Sequence, residues 1–274
     1  MDVLGRLDRR LLYLAALLCA VVAVLWPPAL PVHPRPETRS AFRLAQTLQP
    51  GQAVFIWIDY GFGGEAELNP MLSAVLLQLM RRRAVICIAS RTLEGGQIAD
   101  SVLRKAAAGQ PAYLHGYGTT WIDLGYRPAP DLVLRAATIN LPAAENGVDE
   151  NGTPLPQLPV AARLRALTPA HFRLAYVFDL GDGYAAMMTY VSQVTGLPMI
   201  VGAISMEAPV ILPFVATGQI AAIIPGIRGA AEYETLLPAP GAATALDRGD
   251  ALIAVFMLLV LALGNLGGAW RSQL

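Results

Sequence analysis

Two apolar runs in this sequence end alike. Ala53-Val-Phe-Ile-Trp-Ile-Asp59 leads into Tyr60-Gly-Phe-Gly-Gly-Glu65-Ala-Glu67, and Leu174-Ala-Tyr-Val-Phe-Asp179 leads into Leu180-Gly-Asp182-Gly183. An aspartate that closes a buried strand and opens a glycine-rich turn can cap the next helix, hold a hard cation or bond the hydroxyls of a ligand. If the two turns converge, Asp59, Glu65, Glu67, Asp179 and Asp182 share one ligand-binding edge. Asp59, Asp179 and Asp182 are then the candidate ligands of magnesium or calcium, which take carboxylate oxygens. The structural alternative makes the same residues turn and cap formers, because Asp and Gly suit turns for backbone reasons alone.

A second candidate is His115, in the glycine-rich stretch His115-Gly-Tyr-Gly118 before Thr119-Thr-Trp-Ile-Asp123. Its imidazole is titratable and has aromatic neighbours that could contact a ligand. Gly61-Phe-Gly-Gly64 has the spacing of neither a phosphate loop nor a full dinucleotide fingerprint, and Glu65 and Glu67 beside it repel phosphate. No nucleotide site is expected there. The cysteines, Cys19 and Cys87, form no Cys-x-x-Cys pair, and His33, His115 and His171 are widely spaced, so no zinc site is expected.

Convergent turns require strands whose carboxyl ends lie side by side. Short apolar runs alternate with amphipathic segments, which predicts an α/β fold with a mainly parallel sheet covered by helices. The first strand is Ala53 to Asp59, and Asn69-Pro70 reads as the N-cap and first turn of a helix running to about Arg83. Ala84 to Ala89 is a second strand, followed by a helix from Glu94 to Ala108 with Ile98, Val102 and Ala106 on one face. Residues 140–160, rich in Asn-Gly and proline, form a loop that splits the domain into two similar halves. The second half offers strands at Leu174 to Asp179, Met199 to Ile204 and Gln219 to Ile224, and a helix from Tyr184 to Thr195 stopped by Gly196.

The order of that second half resembles the Clp protease and crotonase superfamily, which includes membrane-anchored signal-peptide peptidases. The shared order is an apolar strand, a Gly-containing turn, a helix, Leu197-Pro-Met-Ile-Val-Gly202, a short helix and an apolar strand, about a quarter of the chain. The resemblance implies a peptidase-like hydrolase whose nucleophilic serine opens the short helix. This chain has Glu207-Ala-Pro209 there and offers Ser205 at the end of the preceding strand.

Of the 274 residues 55% are hydrophobic, and the excess lies mostly at the two ends. Residues 11–26 and 251–270 read as transmembrane helices, the first flanked by Arg9, Arg10 and Trp26, the second by Trp270 and Arg271. A cleaved signal peptide would need small residues before the cut, and none are suitably placed. Residues 1–10 and 271–274 are expected as cytoplasmic tails, 27–39 as a Pro-rich stalk and 40–240 as an extracytoplasmic domain, because short basic tails remain inside. The uncharged stretch Ala208 to Gly226 is long enough for a third span, but Pro209, Pro213, Pro225 and Thr217-Gly-Gln219 divide it into a short helix and a strand. Gly264, Asn265, Gly267 and Gly268 would allow close approach of another helix, through self-association or with other membrane proteins.

Twenty acidic and twenty basic residues cancel, leaving no basic stripe for nucleic acid. The first functional reading is a non-enzymatic binding or assembly component of a membrane complex. The alternative is a membrane-anchored hydrolase, peptidase-like or divalent-metal-dependent, that uses Asp59, Asp179 and Asp182.

Overall fold

The computed structural model describes residues 9–25, 31–144, 146–239 and 241–271, without the side chains of 9–12, 23–24 and 263–271. In chain order the elements are α1 (Arg9–Leu25), α2 (Pro36–Gln46), β1 (Ala53–Asp59), α3 (Glu65–Arg81), β2 (Val85–Ser90), α4 (Gly95–Ala106), α5 (Pro111–Leu114), β3 (Trp121–Tyr126), α6 (Pro130–Ala137) and α7 (Leu141–Ala144). They continue with β4 (Phe172–Asp179), α8 (Gly183–Met187), a π-helical turn (Met188–Ser192), α9 (Gln193–Thr195), β5 (Met199–Ala203), α10 (Ala208–Ala216), β6 (Ala222–Pro225), α11 (Gly226–Leu236) and α12 (Ala242–Arg271).

All strand pairs are parallel, and the sheet runs β3-β2-β1-β4-β5-β6. The order grows outward from β1 and β4 in both directions, the doubly wound arrangement. Both faces are covered, which explains why β1 and β2 are apolar and buried without alternation. One core layer joins Val54, Ile56 and Ile58 of β1 to residues of α2, α3, α4 and α11. The other joins Phe55 and Trp57 to residues of α6, α8 and α10. The two halves expected around residues 140–160 therefore contribute to one sheet and share one pair of core layers.

Three local expectations change. Trp121–Tyr126 is a sheet strand, although it was expected only as the continuation of a glycine-rich loop. Its Gly125 has a φ of +77°, and such a residue weakens the strand pattern in sequence. Helix α3 begins at Glu65 and carries Pro70 within it, because Glu65 and Glu67 in the first turn complement the helix dipole. Asn69 does not cap it; its Oδ1 accepts the Tyr60 hydroxyl at 2.8 Å. Residues 27–30 of the expected stalk lie outside the described residues, and the rest of it is folded onto the domain, since Val32 is buried and α2 starts at Pro36. Within residues 208–226, by contrast, the chain forms the short helix and the strand expected there, α10 and the edge strand β6.

Two buried carboxylates on α11 fasten the ends of the domain. Glu232 accepts the Arg35 backbone N–H at 3.1 Å, its Nε at 2.7 Å and the Thr38 hydroxyl at 2.7 Å. Glu234 accepts the backbone N–H groups of Gly241, Ala243 and Thr244 at 2.8, 3.0 and 2.8 Å and the Thr244 hydroxyl at 2.7 Å. The free N–H groups at the start of α12 are thereby satisfied from a neighbouring helix.

Helices α1 and α12 pack against each other. Ala15, Ala16, Cys19 and Ala20 on α1, and Leu252, Phe256 and Val260 on α12, are half covered. Tyr13, Leu14, Leu17, Leu18, Val21 and Val22 of α1, and Val255, Met257, Leu258, Leu259 and Leu261 of α12, are exposed. Among the described residues no helix is long and apolar enough to cross a membrane. Helix α1 has 17 residues, and the side chains of α12 are described only to Ala262. Those of Gly264, Asn265, Gly267 and Gly268 lie outside the described residues, as do the first eight residues and 272–274. Neither Cys19 nor Cys87 is joined in a disulfide.

Candidate functional site

A doubly wound sheet opens a crevice at its carboxyl edge, where the connections from the two central strands leave toward opposite faces. Here that point lies between β1 and β4, and Asp59 and Asp179 are register partners across it. The two turns therefore converge, but the two aspartates do different work.

Asp179 is fully buried. Its Oδ1 accepts the backbone N–H groups of Gly181 at 2.8 Å and Gly183 at 3.2 Å, and its Oδ2 accepts that of Tyr184 at 3.0 Å. It shapes the turn and caps the start of α8, as short acidic side chains do before helices.

Asp59 is 5% exposed and less fully satisfied. Its Oδ1 pairs with Arg91 Nε at 2.8 Å, whereas its Oδ2 is buried without a hydrogen-bond partner. That oxygen lies against Gly183, where an added Cβ would stand 1.7 Å away; position 183 has room only for glycine. Burial and then the charge of Asp179 push the Asp59 carboxyl up to about 7, against the pull of Arg91. A carboxyl that titrates near neutrality can donate or accept a proton in binding, and such groups mark candidate sites.

Arg91 is the residue that the sequence reading missed. It follows β2, and its backbone N–H bonds the Ile58 carbonyl at 2.9 Å. Because β2 neighbours β1, the guanidinium reaches both Asp59 and, at 2.9 Å, Asp182. The available signal was a basic residue one position beyond an apolar strand, and it gains meaning only when the strand order is known. Glu94 joins the same edge, its Oε2 standing 3.4 Å from where a Cβ on Gly61 would lie.

The remaining candidates divide. Glu65 lies near enough to Tyr60 for its charge to add to the burial that raises that phenol. Glu67 accepts the backbone N–H of Ser205 at 2.9 Å and its hydroxyl at 2.6 Å, joining the turn after β5 to α3. His115 is exposed at the end of α5, before the amino end of β3 and thus at the opposite edge of the parallel sheet. His171 precedes β4 in the same way. The serine weighed as a nucleophile has a carboxylate, not an imidazole, as its partner.

Among the described residues no group of three or more His, Cys, Asp or Glu side chains is placed to hold a metal ion. The reason is local: Asp179 accepts three backbone N–H groups and Asp59 Oδ1 faces a guanidinium. The magnesium or calcium expected for Asp59, Asp179 and Asp182 finds no support in this arrangement.

A second acidic cavity of about 280 Å³ lies beside β3, lined by Asp100, Tyr117, Asp123 and Glu150 among others. Asp123 Oδ1 accepts the Gly125 N–H at 2.8 Å, and burial pushes its carboxyl up to about 7.

Fold and crevice together define a doubly wound α/β domain with an acidic switch-point site crossed by one guanidinium. No protein-family model, no curated protein and no solved structure matches the chain.

Proposed function

We propose that this chain is a membrane-anchored α/β domain that serves as a non-enzymatic binding component of a membrane assembly, taking a polar group of its partner at the switch point. The anchors are residues 11–26 and 251–270, with both tails cytoplasmic and the domain outside. Support for the anchors comes from the paired terminal helices, whose outward faces expose a continuous set of large apolar side chains. A soluble surface rarely carries so large an apolar patch.

The observation that carries the binding reading is Asp59, a buried carboxyl at the switch point with one oxygen on Arg91 and the other unpartnered. Asp59, Asp182, Glu65 and Glu94 outweigh Arg91 in charge, so the crevice favours a hydroxyl or amine over a phosphate. Turnover finds less support than binding. Ser205 is hydrogen-bonded to Glu67, and His115 and His171 sit at the far edge, where neither can take its proton.

A photo-reactive benzophenone residue at position 182, in the full chain in native membranes, tests this reading. Asp182 is exposed in the crevice and Ile139 is exposed elsewhere. A discrete adduct is expected from 182, absent from 139 and lost when Arg91→Ala is added. No adduct, or the same adducts from both positions, would contradict the proposal.

A further inference from the structure

Helix α12 runs antiparallel to α11 and up toward the carboxyl edge of the sheet. Near its start it is held by Glu234; further on, Asp247 pairs at 2.7 Å with Arg228, two residues beyond Gly226, which follows β6. Asp250 is reached by the charges of Asp247 and of Glu67 in the first turn of α3. The apolar run begins at the next residue, Ala251. It therefore leaves the domain level with the loops at the carboxyl edge, and α1 packs along it.

Four of those loops each expose a large apolar side chain. Phe62 after β1 is 69% exposed, Leu93 after β2 71%, Leu180 after β4 37% and Met206 after β5 81%. Single exposed apolar residues are ordinary, but four at one edge, beside the helices that leave from it, form a surface. The same edge carries Glu65, Glu94, Asp182 and Glu207 against Arg91 and, after β3, Arg127, so its acidic groups outnumber its basic ones and an anionic surface would be repelled.

We propose that the carboxyl edge of the sheet is seated on the bilayer, with Phe62, Leu93, Leu180 and Met206 inserted among the headgroups of neutral or zwitterionic lipids and the switch-point crevice opening onto that interface. This rests on the anchor assignment and adds the orientation of the domain. Apolar side chains and snorkelling neighbours at such a depth are the usual means by which a domain settles at an interface. A ligand then reaches Asp59 and Arg91 along the membrane surface.

The test uses the full chain with Cys19→Ala and Cys87→Ala, spin-labelled at one introduced cysteine at a time and reconstituted in phosphatidylcholine vesicles. Labels at 62, 93, 180 and 206 should be relaxed more by oxygen than by a water-soluble nickel chelate, approaching the behaviour of a label at 258 on α12. Labels at 139 and 194, equally apolar and exposed positions away from this edge, should behave as in water. If 258 lies in lipid while the four tips match 139 and 194, the seating is overturned and the anchors stand. If 258 itself is in water, both fall. Insertion of the tips only when phosphatidylglycerol is present would overturn the assignment to neutral or zwitterionic lipid.

Discussion

Glu234→Ala should lower the thermal midpoint of the detergent-solubilised full chain by roughly 6–12 °C. The carboxylate accepts three backbone N–H groups and one hydroxyl at the start of α12. Deleting it leaves those donors with no protein acceptor, at a cost of about 3 kcal/mol for a buried charge-assisted set. Thr244→Ala removes only the hydroxyl and should cost about 1 kcal/mol. Glu232 is the matching residue for the other end of the chain, holding Arg35 and Thr38. A Glu234→Ala midpoint within a degree or two of the wild type would show that α12 is held by apolar packing alone.

The second large effect is a pH dependence. The Asp59 carboxyl titrates at about 7 in the folded chain against 3.8 ordinarily, so the folded state binds a proton that the unfolded state has released. As far as this carboxyl decides it, stability should be highest below about pH 4, fall by about 1 kcal/mol per pH unit as pH rises from about 4 to about 7, and level off above. Asp123, also raised to about 7, adds to the fall over the same window. Asp59→Asn should flatten its share of the slope, leaving the remainder to Asp123→Asn. Thermal midpoints across that window provide the measurement. A slope that is the same in Asp59→Asn as in the wild type would contradict the burial argument for the switch point.

Much of this arrangement was legible in the sequence. The runs around Val54 to Ile58 and Ala175 to Phe178 are apolar without alternation, which is what a parallel strand covered on both faces requires. Their terminal aspartates stood out because a charged residue ends an otherwise unbroken run. Strand order was not legible. Nothing local says that β1 and β4 are neighbours, and the meaning of Arg91 depends on that adjacency. β3 was obscured by Asp123 and Gly125 within it. The role of Glu232 and Glu234 was hidden for a different reason. Both are charged residues in an otherwise ordinary helix, and only tertiary packing turns them inward, where the ends of the chain supply their donors.

The stalk shows the same limit from the other side. Prolines at 27, 28, 31, 34 and 36 suggest an extended spacer, yet Pro36 occupies the first turn of α2, where its missing N–H costs nothing. The domain consequently begins close to the end of the first apolar run.

The proposal that both ends of the chain cross a membrane and hold the domain on its outer side stands or falls on which segments a protease can reach. The measurement is digestion by external protease of intact cells with the outer face opened, on a chain tagged at both termini. Cleavage within the domain is expected, with both tags protected, each on a fragment that carries one terminal helix. Protection of the domain together with both tags, or loss of one tag with the domain, would contradict it.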